Sequence, residues 1–248
     1  MILAALMLLQ GAWAPLPNGV PHRIQSTALG EPRDVMVVEP GGYSADSSRY
    51  PVIVLLDGDG LLPVGAGMLA FLERMGRTGG AILIGVRSNS PADRGRVFLP
   101  PGDSAMRGFL ESELKPFIER RWRTTDQWIL AGHSLSALFA LSTFARRESV
   151  FTGFVAISPV LGWRDGVIRR AAQDRVEQPR SRPVRLFLST ASEGERYPPT
   201  AVQSLDSTLT ARRPPSIAWA YRQYPAEDHG STLVPALFDG LRFVLPTQ

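Results

Sequence analysis

Apolar residues fall along this chain in short unbroken runs, separated by stretches where they recur every three or four positions. Residues 52–56, 81–86 and 154–158 are nearly continuous apolar runs, as expected of central strands buried on both faces. Residues 34–38, 129–132 and 184–188 predict further strands, and residues 217–224 alternate as another. Met68, Leu69, Leu72 and Met75 share one side of a predicted helix over 68–75, which Gly79 and Gly80 end. Residues 87–102 read as a polar loop, after which Asp103 or Ser104 caps a helix running toward Arg120. Residues 201–212 predict a helix, and residues 231–245 a final amphipathic one with Leu233, Leu237, Leu241 and Val244 on one face. Apolar strands alternating with helices predict an α/β fold: a mostly parallel central sheet with helices on both faces. No internal repeat or linker divides residues 15–248, which read as one domain.

Composition narrows the function. A chain of 248 residues that is 44% hydrophobic can bury a sizeable core. The formal net charge is +4, but the arginines are scattered and form no basic stripe interleaved with aromatics, which argues against nucleic-acid binding. The absence of cysteine excludes disulfides, thiolate catalysis and Cys-ligated metal. Residues 1–9 form an apolar run too short to span a bilayer, and Ala12-Trp13-Ala14 fits a small-x-small cleavage site. Residues 1–14 therefore read as a signal peptide, although no Lys or Arg precedes the run, and the expected location is periplasmic or secreted. No stable membrane association is expected after cleavage.

Candidate chemistry centres on Gly132-His133-Ser134-Leu135-Ser136, which lies between an apolar strand and an apolar helix. A serine on such a turn exposes its hydroxyl above the sheet, next to a helix N-terminus that favours negative charge. This is the layout of a nucleophile elbow, with Ser136 where the usual G-x-S-x-G has its last glycine. Ser136 adds little volume and reads as a tolerated small residue. A serine hydroxyl needs a base, and the chain has three histidines: His22, His133 and His229. His133 adjoins the nucleophile and is expected to pack into the sheet or shape the pocket; His22 reads as a surface or structural residue. His229 follows a late strand and fits the chain order Ser, acid, His. The acid must lie between Ser134 and His229 after a strand, which selects Glu193, with Glu195 as the alternative. The oxyanion donors expected are the amides of Leu135 and Asp59, Gly58 shaping the turn. Asp57-x-Asp59 does not continue as a calcium-ligand series, so no metal site is expected.

The segments Tyr50-Pro-Val-Ile-Val-Leu-Leu-Asp-Gly58, Glu113-Leu-Lys-Pro-Phe-Ile-Glu119, Gly132-His-Ser-Leu-Ser136, Ala156-Ile-Ser-Pro159 and Asp228-His-Gly230 carry a resemblance. Together they make the chain similar to the esterase family of the α/β-hydrolases that holds the esterase D-like and enterobactin-type siderophore esterases. The resemblance runs from about residue 33 to 245. It implies an α/β-hydrolase fold and a serine hydrolase of carboxylic esters, with Ser134 as nucleophile, His229 as base and a glutamate near 193 as acid. It implies no cofactor, and a small-molecule or glycan ester as substrate, with the oligomeric state left open. Trp163 matches a position where relatives carry an aromatic, and so becomes a candidate lining the substrate cleft. Arg87, Arg94 and Arg96 sit in the loop expected to overhang the site, where a carboxylate or catecholate substrate would suit them. Two other functions share this sequence pattern: a ligand-binding protein on a hydrolase scaffold, and an acyltransferase.

Overall fold

The computed structural model describes residues 19–45, 47–195 and 197–245. The expected signal peptide, residues 1–14, lies outside the described residues. In chain order the elements are β1 (Val20–Ser26), β2 (Glu31–Val38), β3 (Tyr50–Leu56), α1 (Gly58–Arg74), β4 (Ile82–Val86), α2 (Pro91–Phe98) and α3 (Asp103–Gly108). A π-helical turn (Phe109–Leu114) then leads into α4 (Lys115–Glu119). They are followed by β5 (Thr124–His133), α5 (Leu135–Phe144), β6 (Gly153–Ile157), α6 (Trp163–Val176), β7 (Val184–Ala191), α7 (Thr200–Arg212), β8 (Ile217–Tyr224) and α8 (Leu233–Val244).

The strands form one eight-stranded sheet in the order β1-β2-β4-β3-β5-β6-β7-β8. β1 and β2 are antiparallel to their neighbours, and the strands from β4 to β8 run parallel. This is the expected α/β architecture, with a mixed sheet at one edge. The alternation along β3 explains its unbroken apolar run. Val52, Val54 and Leu56 pack on one face with Phe98, Phe139 and Leu205, while Ile53 and Leu55 pack on the other with Leu69, Leu237 and Leu241. Helices α1 and α8 thus cover one face, and α2 to α7 the other.

The structure departs from the sequence expectation at four places. β1 precedes residues 34–38, the earliest strand the sequence predicts; Pro21, His22, Arg23 and Gln25 give it little apolar signal, and only Ile24 and Ser26 are buried on this edge strand. Helix α1 begins ten residues earlier than Met68, at Gly58. Within it a Cβ at Gly65 would lie 2.8 Å from Leu55 Cδ1, so that glycine lets the helix settle onto β3. The expected polar loop 87–102 contains α2, with Ser90 Oγ accepting the Asp93 amide at 3.1 Å as the N-cap and Pro91 at the first turn. Asp103 does not cap α3. Gly102 stands at the cap, and the buried Asp103 carboxylate instead pairs with Arg107 at 2.8 Å and accepts from Ser142 Oγ at 3.1 Å.

The carboxyl edge of the parallel strands carries Asp57 after β3, Ser134 after β5, Ser158 after β6, Glu193 beyond β7 and His229 beyond β8. Open α/β sheets place their sites on this edge. The start of α1 is held against it by close backbone contact, since a Cβ on Gly58 would lie 2.5 Å from Gly85 Cα and 2.7 Å from Val86 N. Gly58→Ala should therefore lower stability by about 1–3 kcal/mol in urea unfolding, because backbone rather than a flexible side chain must yield; an unchanged midpoint would show that α1 is free to shift.

Candidate active site

The turn after β5 is a sharp one. Ser134 has φ 60° and ψ −113°, a conformation that costs a non-glycine residue roughly 1–3 kcal/mol and persists only where its surroundings fix it. Two contacts fix it here. The Ser134 N–H donates to the Ile157 carbonyl on β6 at 2.9 Å, and the Ser134 carbonyl accepts from Leu138 N–H at 3.0 Å. The turn also needs Gly132, where a Cβ would lie 2.7 Å from the carbonyl carbon of Ser136. The amides of Leu135 and Ser136 open α5 and have no carbonyl partner within the helix, and the same holds for Gly58 and Asp59 at the start of α1. Two helix N-termini thus point free N–H groups and positive dipole ends at one rim.

His229 reaches Ser134 from the loop after β8. Its Nε2 lies 2.9 Å from Ser134 Oγ, and its Nδ1 lies 3.1 Å from Glu193 Oε2. An ionised carboxylate only accepts, so Nδ1 carries the proton and Nε2 accepts from the serine hydroxyl. The Glu193 side chain is 3% exposed, and its Oε1 accepts the Ala191 amide at 2.9 Å. Burial pushes the Glu193 carboxyl up, but bonding to His229, the pull of the Ser158 hydroxyl and the Ala191 amide outweigh it, and the group stays below its ordinary value. Ser158 Oγ itself is buried without a hydrogen bond of full geometry, so His229 and Ala191 are the firmer causes. Glu195 is exposed, and among the described residues no hydrogen bond or ion pair joins it to His229.

The His229 loop is held from several sides. The Asp228 carboxylate accepts the amides of Gly230 and Ser231 at 2.8 Å each, which ties the loop to itself and keeps that carboxyl below its usual range. The Ser192 amide donates to the Glu227 carbonyl at 2.9 Å, so the acid loop and the histidine loop are joined directly. The Tyr197 ring stacks on His229 at 4.3 Å and 18°, a contact with no signal in the sequence. His133 Nε2 donates to the His229 carbonyl at 2.6 Å, with the two rings 4.9 Å apart. His133 thus supports the loop from below. Burial is the largest influence on its ring and lowers its proton affinity; the bond to His229 works the other way and loses.

The remaining sequence candidates lie around this centre. Arg94 forks onto Asp57, Nε to Oδ1 at 2.9 Å and Nη2 to Oδ2 at 3.0 Å. Arg96 turns away to Glu31 and Asp93. Arg87 is exposed and makes no ion pair among the described residues. It lines a cleft of about 460 Å³ together with Asp59, Leu61, Asn89 and His133. A second cleft of about 590 Å³, walled by Val35, Met36, Leu62 and Pro63, shares Asp59 and Arg87 with the first. Trp163 opens α6 beyond β6, half-buried against the core, with the Arg164 guanidinium 4.6 Å over its ring. His22 sits between Phe117 and Trp122, at 5.5 and 5.4 Å, and also lines the larger of these clefts.

A parallel sheet bearing a strained serine turn, with histidine and glutamate on later strand ends, defines the α/β-hydrolase esterase class. The chain belongs to the family described as "Putative esterase", whose model matches residues 26–230. No curated protein matches it by sequence. Among solved structures, an IroE-like serine hydrolase from Shewanella oneidensis is 25% identical, with a TM-score of 0.84 over 91% of this chain and 79% of that one. The siderophore hydrolase EstA from Aspergillus nidulans is 22% identical, with a TM-score of 0.78 over 95% of this chain and 98% of that one. The enterobactin esterase FES from Shigella flexneri is 20% identical, with a TM-score of 0.72 over 92% of this chain and 60% of that one.

The lowered affinity of the His133 ring has a consequence for stability. Its ordinary value is 6.5, so above that pH the ring is neutral both folded and unfolded. As pH falls below 6.5 the unfolded chain takes up the proton first, and the folded state loses stability until its own lower value is passed. His133→Gln retains a donor for the His229 carbonyl but does not titrate. Its melting temperature should fall less than that of the native protein between pH 7.5 and 5.5; equal losses would place the acid sensitivity elsewhere.

Proposed function

We propose that the protein is a serine hydrolase of carboxylic esters, working through an acyl-enzyme on Ser134. The observation that carries this reading is the continuous line from Ser134 Oγ to His229 Nε2 at 2.9 Å and from His229 Nδ1 to Glu193 at 3.1 Å. In it Ser134 attacks the ester carbonyl while His229 takes the hydroxyl proton, and the anionic Glu193 steadies the imidazolium that forms. The tetrahedral oxygen is held by the Leu135 amide at the start of α5 and the Asp59 amide at the start of α1, with Gly58 keeping that backbone close. His229 returns the proton to the leaving alcohol, and water admitted to the same position then releases the acid.

For the substrate we propose an ester carrying a catecholate or carboxylate, of the siderophore kind. Three features support it. Arg87, which makes no ion pair among the described residues, stands at the rim common to the two clefts. The larger cleft is apolar enough to take a ring. Structural neighbours include a siderophore hydrolase and an enterobactin esterase. Hydrolysis of a tri-catecholate lactone, a feruloyl ester and a neutral short-chain acyl ester should rank the lactone first in kcat/KM, and a higher value for either other ester would reassign the substrate.

A fluorophosphonate probe should label the native protein stoichiometrically at Ser134. Ser134→Ala should lose labelling and at least about 1,000-fold in kcat while keeping its fold, and Glu193→Gln should lose about 100- to 10,000-fold with the histidine in place. A folded protein that resists labelling would favour the ligand-binding alternative.

A further inference from the structure

We infer that Ser136, Asp57 and Arg94 form a positioning device that locks the helix carrying the oxyanion amide onto the nucleophile elbow and neutralises the carboxylate between them. This inference rests on the serine esterase reading above.

Position 136 is where the elbow pattern has its last glycine. Ser136 is fully buried, and its Oγ lies 2.7 Å from Asp57 Oδ2 and 2.9 Å from the His133 carbonyl, while accepting the His133 amide at 3.0 Å. A hydroxyl has one proton to give, and the shorter bond to an ionised acceptor takes it. The expectation of a merely tolerated small residue therefore misses a specific bond across 79 residues of chain.

Asp57 is itself unusual. It stands at the N-cap of α1 with φ 54° and ψ 42°, without using its side chain to cap that helix. Its carboxylate is taken up entirely by other elements. Oδ1 accepts from Ser88 Oγ at 2.8 Å and Arg94 Nε at 2.9 Å; Oδ2 accepts from Ser136 Oγ and Arg94 Nη2. Four donors thus hold one carboxylate, and with it the backbone carbonyl that accepts the Gly60 and Leu61 amides to start α1. The Gly58 and Asp59 amides are aimed by that turn.

The charge balance matters as much as the geometry. A carboxylate beside two helix N-termini would take up the positive field that a developing oxyanion needs. The forked guanidinium of Arg94 cancels that charge. With Nε and Nη2 both engaged, Arg94 acts through Asp57 rather than as a clamp for a substrate carboxylate.

The test compares native protein, Arg94→Met, Ser136→Ala and the double variant Asp57→Asn/Arg94→Met. Each is read by fluorophosphonate labelling rate and by kcat and KM on neutral p-nitrophenyl acetate and on an anionic ester. Arg94→Met should lose about 10-fold or more in kcat on the neutral ester, with KM within about twofold and labelling slowed in step. Asp57→Asn in that background should recover part of the labelling rate, because the uncompensated carboxylate is gone; a purely structural lesion would worsen instead. Ser136→Ala should lose kcat by about threefold or more without a change in KM, and it carries the test if Arg94→Met does not fold. A rise in KM confined to the anionic ester would overturn the inference and make Arg94 a substrate-binding residue. Native protein that labels at Ser134, with variants labelling equally fast, overturns the positioning role alone. Native protein that neither labels nor hydrolyses either ester overturns the esterase reading and this inference with it.

Discussion

Everything at the carboxyl edge depends on how closely α5 is allowed to approach β5. The missing side chain of Gly132 leaves room for the backbone of Ser136, and that room forces Ser134 to φ 60°. The strain is local, and a bond to Ile157 on the neighbouring strand holds it. Because α5 is wholly buried beyond its first residue, it cannot relax outward to relieve the turn. The buried helix supplies the force, and the glycine supplies the space. A serine hydroxyl raised above the sheet is the result.

The partners of that hydroxyl come from loops, yet the loops behave as one body. Glu193 is tied back to β7 through the Ala191 amide, and its neighbour Ser192 bonds to Glu227 and Pro225 ahead of His229. His133 then reaches from β5 to the His229 carbonyl, so His229 is supported by the same strand that ends in Ser134. Such cross-bracing limits the drift of Ser134, His229 and Glu193 relative to one another. Tyr197 closes the outer face of the imidazole with an apolar ring, which leaves its two nitrogens directed at Ser134 and Glu193.

Much of this was legible in the sequence, because the buried strands write themselves as unbroken apolar runs and their carboxyl ends mark where chemistry belongs. Residues 217–224 match β8 to the residue, and the three groups now seen hydrogen-bonded in line, Ser134, His229 and Glu193, were each selected by standing after a strand. What escaped was whatever lacks hydrophobic period. β1 buries only alternate residues at a sheet edge. α2 holds few apolar residues, although Ser90, Pro91 and Asp93 spell a helix start in capping terms. Tyr197 and the Asp57–Ser136 bond join segments far apart in sequence, and no local pattern reports a contact of that kind.

The missed helix is what sorts the arginines. Asp93 and Arg96 are three apart on α2, hence on one face, and both meet the cluster built on Arg33 and Glu31. Arg33 is fully buried and bonds Asp93 at 2.6 Å, the Arg87 carbonyl at 3.1 Å and Glu31 at 2.8 Å. Burial pushes the Asp93 carboxyl up, but bonds from Arg33, the Asn89 amide and Arg96 more than reverse this, and the group stays below its ordinary value. Breaking so buried a pair would leave an uncompensated charge, which makes the face an anchor. Arg94, one residue beyond Asp93 and so about 100° around the helix, is thereby turned toward Asp57. Read as a loop, the three arginines of residues 87–96 look interchangeable. Read as a helix on a buried ion cluster, they divide. Arg96 secures α2, Arg94 bonds the residue that starts α1, and Arg87, outside the helix, makes no ion pair among the described residues.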